Sequence, residues 1–166
     1  MELTLRPVIQ GDLPIFFEQQ CDPEGRRMVA FCPAEPGDLA GFLAKWQSIL
    51  ADESSRCLTI DIDGAVAGNV MYFTLFDRPS IGYWLGRRYC GQGSATRAVA
   101  AFVVSIEQRP LYARVVSDNL GSLQVLERCG FGVIGVERGF APMRGEEVEE
   151  FLLELPAAGA TASPKV

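Results

Sequence analysis

The most informative part of this chain is Ile81-Gly82-Tyr83-Trp84-Leu85-Gly86-Arg87-Arg88-Tyr89-Cys90-Gly91-Gln92-Gly93-Ser94, in which a short apolar run meets a glycine-rich loop. Glycine lets the backbone approach a ligand closely and adopt φ/ψ values that other residues avoid. The helix predicted to begin near Ser94 would present unpaired N–H groups and roughly +0.5 of an elementary charge. The stretch therefore predicts a phosphate-binding turn between a strand and a helix.

The two glycine fingerprints of the common nucleotide-binding folds do not match this loop. Thr96 stands where the third glycine of GxGxxG would fall, and no Lys-Ser/Thr pair of a Walker motif follows. A Gly-x-Gly pair before a helix is equally typical of a plain tight turn. The loop alone leaves both interpretations open.

Along the rest of the chain, apolar periodicity and turn residues predict a mixed sheet covered by helices. The N-terminal elements are a strand from Leu3, a helix over 12–20 capped by Asp12, a loop or broken helix over 21–36, a helix capped by Asp38, hairpin strands 56–62 and 65–73 joined at Asp63-Gly64, and a strand over 81–85. The C-terminal elements are a helix over 94–106, a strand over 111–116, a helix over 119–129, and strands 132–136 and 148–155 joined by a turn near Arg144-Gly145. We predict one domain over 1–155 and a disordered tail over 156–166.

Composition excludes several classes of function. The 166 residues contain five cysteines and no histidine, so a Ser-His-Asp site, a Cys-His site and a metal site are not expected. The net charge of −6 disfavours nucleic acid as a partner. No apolar stretch is long enough to cross a membrane, and the N-terminus does not resemble a signal peptide, so we expect a cytoplasmic protein.

A second motif follows one helix and one strand later. It consists of Asn119-Leu120-Gly121-Ser122 and Leu126-Glu127-Arg128-Cys129-Gly130-Phe131. Asn119 and Gly130 alone would fit an ordinary capped helix. In this order after the glycine loop, however, the two motifs resemble the GNAT superfamily of N-acetyltransferases, specifically its RimJ/RimL-like branch. The loop fits through Arg88, Gly91 and Gly93, and the resemblance extends from Leu3 to Leu155.

The resemblance implies an α/β (α+β) fold with a mostly antiparallel sheet of about seven strands, about four helices, and two splayed central strands that bind acetyl-CoA. It also implies the residues that would bind this co-substrate. Backbone amides of Tyr89, Cys90, Gly91, Gln92, Gly93 and Ser94 would bind the pyrophosphate, Trp84 and Leu85 would pair with the pantetheine arm, and Asn119 would hydrogen-bond it. Ser122 would lie near the sulfur.

The resemblance further implies direct attack of an amine on the thioester, without an acyl-enzyme. Cys90, beside a helix N-terminus, is the one rival nucleophile. Many family members carry a tyrosine one turn into the second helix to protonate the leaving thiolate, but this chain has Leu126 there. Ser122 is therefore the candidate acid, although it also fits a simple first-turn serine.

The general base is left open by the sequence. Many family members have a glutamate before the glycine-loop strand, where this chain has Pro79-Ser80. Asp77, Glu147 and Tyr83 are candidates. A weak base favours a low-pKa acceptor, because deprotonating an α-amine at pH 7 costs roughly 1 kcal/mol and a lysine amine about 4.6 kcal/mol.

The predicted function is transfer of an acetyl group from acetyl-CoA to a primary amine, either a protein or peptide N-terminus or a small molecule. The acceptor walls are expected from Asp22-Pro23-Glu24, Met28, Phe31 and residues 140–147. The alternative is an acyl-CoA-binding sensor that has lost catalysis. The sequence leaves the oligomeric state open, a homodimer included.

Overall fold

A computed structural model describes residues 1–158 of the chain. Its strands are β1 (Leu3–Pro7), β2 (Arg56–Ile62), β3 (Ala65–Leu75), β4 (Arg78–Leu85), β5 (Leu111–Val116), β6 (Gly132–Ala141) and β7 (Glu146–Leu155). Its α-helices are α1 (Leu13–Gln20), α2 (Pro23–Val29), α3 (Leu39–Ala51), α4 (Ser94–Val104) and α5 (Leu120–Arg128). Only residues 156–158 of the predicted tail fall within the described part.

The strands form one seven-stranded sheet in the order β1-β2-β3-β4-β5-β7-β6. Every neighbouring pair is antiparallel except β4 and β5, which are parallel. The predicted fold class, a mixed and mostly antiparallel sheet covered by helices, is confirmed. The Asp63-Gly64 turn is also confirmed, since both residues have positive φ, as a tight hairpin turn requires.

The described residues contain five α-helices rather than about four. The additional helix is α2, which forms within the segment predicted as a loop or broken helix. Asp22 caps it by accepting a hydrogen bond from Gly25 N at 3.0 Å, and Pro23 occupies its first turn, where no N–H is needed. Seven residues are too few to give a clear helical periodicity in the sequence.

The hairpins are longer than predicted. Phe76 and Asp77 both have positive φ and make a tight turn, so β3 continues to Leu75 and β4 begins at Arg78. Strand β6 likewise continues to Ala141. Neither turn contains the Asn-Gly or Asp-Gly signal that marked the first hairpin.

Both faces of the sheet are covered by helices. On one face, α4 buries Ala98, Val99 and Phe102 in the main hydrophobic core, which Leu126 of α5 also joins. On the other face, Leu13 and Phe16 of α1 pack with Trp46 of α3, with 5.1 Å between the Phe16 and Trp46 ring centroids. The sheet therefore forms a wall between two layers.

Asp12 directly precedes α1 as predicted, but its carboxylate does not cap that helix. Instead it is buried and accepts hydrogen bonds from Arg6 at 2.8 and 2.9 Å, Thr59 Oγ1 at 2.7 Å and Ile9 N at 3.0 Å. Burial alone would raise the pKa of Asp12, but these hydrogen bonds outweigh it and hold the pKa below 3.8. The carboxylate joins β1, β2 and the start of α1.

We predict that Asp12 makes the fold acid-sensitive. A carboxyl whose pKa is lower in the folded than in the unfolded state stabilises the fold above the unfolded value, and this contribution is lost as pH falls through the folded pKa. Asp12→Asn should lower the free energy of unfolding by about 2 kcal/mol at neutral pH. Urea unfolding should show this difference shrinking below a pH of about 3.8, and a constant difference would contradict the assignment.

Gly68 fixes the contact between β3 and β4. A methyl group at this position would lie 2.0 Å from the carbonyl oxygen of Trp84, a distance that no side chain can occupy. The absence of a side chain therefore lets β4 pass close to β3 next to Leu85, its register partner.

Gly68→Ala should consequently force the two strands apart and lower the free energy of unfolding by about 2–3 kcal/mol. Gly121→Ala is the matched control, because position 121 lies in a helix with open space around it. That substitution should be neutral or stabilise by about 0.5–1 kcal/mol. Equal effects of the two substitutions in urea unfolding would refute the steric argument.

Candidate active site

The parallel strands β4 and β5 separate almost as soon as they meet. Ser80 and Tyr112 are their one register pair, whereas β5 pairs with β7 along all of 111–116. A cleft of about 860 Å³ opens beyond this pair. Within residues 1–158, the polar backbone groups of β4 that face β5 after Ser80 therefore have no strand partner on that side. The predicted splay of the two central strands is confirmed.

The glycine loop lies at the end of β4. Tyr89 N and Cys90 N donate to carbonyls three residues earlier, at 2.9 and 3.1 Å, and the first hydrogen bond of α4 is donated by Arg97 N. The N–H groups at the start of α4 lack intrahelical acceptors, as at any helix N-terminus. Gly91 and Gly93 have φ of 77° and 79°, and the space where side chains would project from them is open.

The structure separates the predicted donor-binding residues into two groups. The first lines the cleft: Trp84, Leu85, Cys90, Gly91, Asn119 and Ser122. The second lies outside its lining: Arg88, Tyr89, Gln92, Gly93 and Ser94. Within this second group, the Arg88 guanidinium stacks 4.6 Å from the centroid of the Tyr89 ring, and Ser94 is buried. The cationic side chain that lines the cleft from this loop is Arg87 instead, which the sequence motif did not single out.

Ser122 is held at the start of α5 and faces a second hydroxyl. Its N–H donates to Asn119 Oδ1 at 3.2 Å, so Asn119 caps the helix. The Tyr83 hydroxyl of β4 donates to Ser122 Oγ at 3.1 Å. Burial raises the pKa of Tyr83, so the phenol is protonated at neutral pH. Leu126 is buried in the core, one turn beyond Ser122.

The predicted base candidates are dispersed. Asp77 lies in the exposed β3–β4 turn and Glu147 is exposed on β7, and neither lines the cleft. Tyr83 does line it, paired with Ser122. The carboxylates in the lining are those of Asp22, Glu24 and Glu150.

Two of these three carboxylates are already paired with arginines. Asp22 Oδ2 lies 3.2 Å from Arg87 Nε, and Glu150 Oε1 lies 3.0 Å from Arg114 Nη1. The first pair also joins α2 to the glycine loop. The sequence could not identify these partners, because 65 and 36 residues separate them along the chain.

Helix α2 forms one wall of the cleft. A side chain at Gly25 would meet the Trp84 ring at 2.9 Å, so the bare glycine lets α2 lie against β4. Met28 and Phe31 line the cleft as predicted. The predicted wall over 140–147 is not among the lining residues, but Met143 N donates to Ala30 O at 3.2 Å and so supports the segment that carries Phe31.

Asn69 was missed by the sequence reasoning. It lies on β3 opposite Trp84, lines the cleft and is only 2% exposed. Its Nδ2 is buried without a hydrogen-bond partner among the described residues. The available signal was a lone asparagine within the apolar run of β3. A buried unpaired donor destabilises a fold by about 1–3 kcal/mol, and the Asn69 Nδ2 donor is available to a ligand that enters the cleft.

Asn69→Leu should therefore raise the free energy of unfolding by about 1 kcal/mol, because it removes an unpaired buried donor and keeps the branching of the side chain. Thr59→Val provides the contrast. Thr59 is also buried on a neighbouring strand, but its hydroxyl donates to Asp12, so its loss should destabilise. Urea unfolding measures both, and a comparable loss of stability in the two variants would contradict this interpretation of Asn69.

Cys90 does not have the properties of an activated nucleophile. Burial and the neighbouring Asp22 carboxylate raise the pKa of its thiol. Proximity to a helix N-terminus therefore does not produce a thiolate here. Within residues 1–158, no three His, Cys, Asp or Glu side chains are grouped so that they could hold a metal ion.

Comparison with known proteins identifies the family. The acetyltransferase (GNAT) domain profile matches residues 2–132. The chain belongs to the GNAT family. It is 24% identical over 163 residues to an uncharacterized N-acetyltransferase, p20, of Bacillus licheniformis, with 92% of each chain covered.

Two solved structures illustrate the similarity of fold. A ribosomal-protein-alanine N-acetyltransferase from Brucella melitensis has a TM-score of 0.79 at 16% identity, with 92% of this chain and 99% of that chain covered. The microcin C7 self-immunity acetyltransferase MccE, in complex with acetyl-CoA and AMP, has a TM-score of 0.75 at 19% identity, with 93% and 92% covered.

These matches confirm the predicted class of enzyme, an acetyl-CoA-dependent N-acetyltransferase. Among the described residues, no helix of this GNAT protein combines the length and apolar character that a bilayer crossing demands.

Proposed function

We propose that this GNAT protein transfers an acetyl group from acetyl-CoA to a primary amine by direct attack within a ternary complex. The main support for this proposal is the gap between β4 and β5. Because of this gap, a single cleft is lined by residues from both faces of the sheet. Donor and acceptor would enter from opposite faces and meet in this gap. Among residues 1–158, no activated nucleophile that would form an acyl-enzyme lines this cleft.

The residues on the donor side fit acetyl-CoA, which would supply the acetyl group as a thioester. The open space at Gly91 and Gly93 allows phosphates to approach the N–H groups that precede Arg97. The free edge of β4 at Trp84 and Leu85 would pair with the amide groups of the pantetheine arm, as an added strand would. Asn119 and Ser122 lie across the gap on α5.

The acceptor side is mostly apolar. Met28, Phe31, Met71 and Phe73 line it, and the Asn69 carboxamide lies on the same face. Because Asp22 and Glu150 already pair with Arg87 and Arg114, Glu24 is the carboxylate of the lining that remains for a cationic group. This arrangement favours an acceptor with one amine beside apolar or carbonyl groups, such as a peptide N-terminus or a small amine of that type.

The donor assignment can be tested with Gly91→Glu. A carboxylate here would face the phosphates, so calorimetric titration should show acetyl-CoA binding weakened at least about 100-fold. Gly145→Glu is the matched control: it adds the same charge at another open position with positive φ, on the β6–β7 turn outside the cleft. Retained binding in Gly91→Glu would overturn the donor site.

Catalysis itself is tested by measuring release of free thiol from acetyl-CoA with a panel of amines and N-terminal peptides. Release with peptides that have apolar first residues, and little with polyamines, is the expected result. Tight binding without release on any acceptor would instead support the alternative, a sensor that has lost catalysis.

A further inference from the structure

The Tyr83–Ser122 pair brings two hydroxyl groups together on the donor side of the cleft. The 3.1 Å hydrogen bond runs from the phenol to the serine, so the hydrogen of the serine hydroxyl is free to point elsewhere. Both residues line the cleft. Among the described residues, no other side chain forms a hydrogen bond with the Ser122 hydroxyl.

Two separate elements hold this pair in place. Ser122 lies in the first turn of α5, which Asn119 caps through the Ser122 N–H. Tyr83 lies on β4 with its ring packed against the main core on the same face as α4 and α5. Its position opposite Val70, a buried residue of that core, fixes the side of the sheet to which it points. The hydrogen bond therefore spans the gap between β4 and α5.

The Tyr83–Ser122 pair bears on how the leaving sulfur is protonated, a step for which the sequence offered Ser122 alone. Breaking the thioester releases a thiolate whose conjugate thiol has a pKa of about 8.5, so protonation completes the step at neutral pH. A lone serine hydroxyl is a poor acid because no second group supplies it with a proton. Leu126, at the position where relatives carry a tyrosine, lies in the core and offers no proton.

We propose that Tyr83 is the positioning residue behind Ser122 and the source of the proton that Ser122 donates to the leaving sulfur. The proposal rests on the function proposed above. The amine forms the C–N bond, the C–S bond breaks, and sulfur leaves with the electron pair. Ser122 then donates its proton to sulfur and receives one from Tyr83. Water takes the proton lost by the nitrogen and returns one to Tyr83, so the products are the acetylated amine and the free thiol.

The surroundings of Tyr83 keep its phenol protonated at neutral pH, so that it can donate a proton. Its ring is partly buried against the main core, and this burial is the main cause of its raised pKa. The other titratable groups that act on it are Cys90 and Cys129, whose own thiol pKa values are raised by burial. Both thiols are therefore neutral at physiological pH, and no carboxylate among these neighbours competes for the proton.

The proposal predicts a property of the bound product that needs no acceptor. Hydroxyl groups that donate to sulfur stabilise its thiolate, so the thiol pKa of bound CoA should be lowered. CoA carrying ¹³C next to sulfur would be titrated on the protein by NMR, since the chemical shift reports thiol ionisation. In Tyr83→Phe the thiol ionisation constant should fall about tenfold relative to the unsubstituted protein, with CoA affinity within about twofold.

Tyr72→Phe is the matched control, because this tyrosine packs against the same core from β3 without lining the cleft. It should leave the bound thiol pKa unchanged. Ser122→Ala tests the pair from the other side and should raise the bound thiol pKa at least as much as Tyr83→Phe. The double variant should match Ser122→Ala alone, because Tyr83 acts through the serine.

With an acceptor from the thiol-release panel, Tyr83→Phe should lower kcat about 10- to 100-fold while KM for acetyl-CoA stays within about twofold. An unchanged bound thiol pKa in Tyr83→Phe, or full additivity with Ser122→Ala, would overturn the inference and leave the proposed function intact. Failure of the unsubstituted protein to bind CoA would overturn the proposed function, and this inference with it.

Discussion

The separation of β4 from β5 after Ser80 is the constraint on which the candidate site depends. A parallel pair that continued would consume the backbone hydrogen-bonding groups of β4 and close the sheet. Because the strands diverge, those groups face the cleft. Their position is held from the opposite edge, where the missing side chain of Gly68 lets β4 remain close to β3. The gap is therefore a fixed part of the sheet and does not result from fraying at the end of a strand.

Strand β4 also connects the two sides of the cleft through the alternation of its side chains. Tyr83 points to the face covered by α4 and α5, whereas Trp84 points to the face where Gly25 of α2 packs on its ring. Successive residues of a strand point to opposite faces, so the side chains of these neighbours line different sides of the cleft. Asn69 is the register partner of Trp84 and lies on the same face of the sheet as the indole.

Local patterns in the sequence predicted the parts of the site that are local in the fold. The glycine loop and the Asn119-capped helix were found because their turn and cap residues lie within a few positions of one another. The Tyr83–Ser122 bond and the Asp22–Arg87 pair join residues 39 and 65 positions apart, so no spacing rule could show them. The side chain of Arg87, and not that of Arg88, lines the cleft. The single turn over Arg87–Tyr89 decides which side chain faces inward, and the sequence motif does not encode this.

The contact between Gly25 and Trp84 has an evolutionary consequence. While the indole occupies its place, position 25 has no room for a side chain, and a larger residue at 25 would need a smaller one at 84. Substitutions at the two positions are therefore coupled, although one position lies on α2 and the other on β4. Under the proposed function, a change in acceptor preference would be easier at Met28, which lines the cleft, than at either member of the Gly25–Trp84 contact.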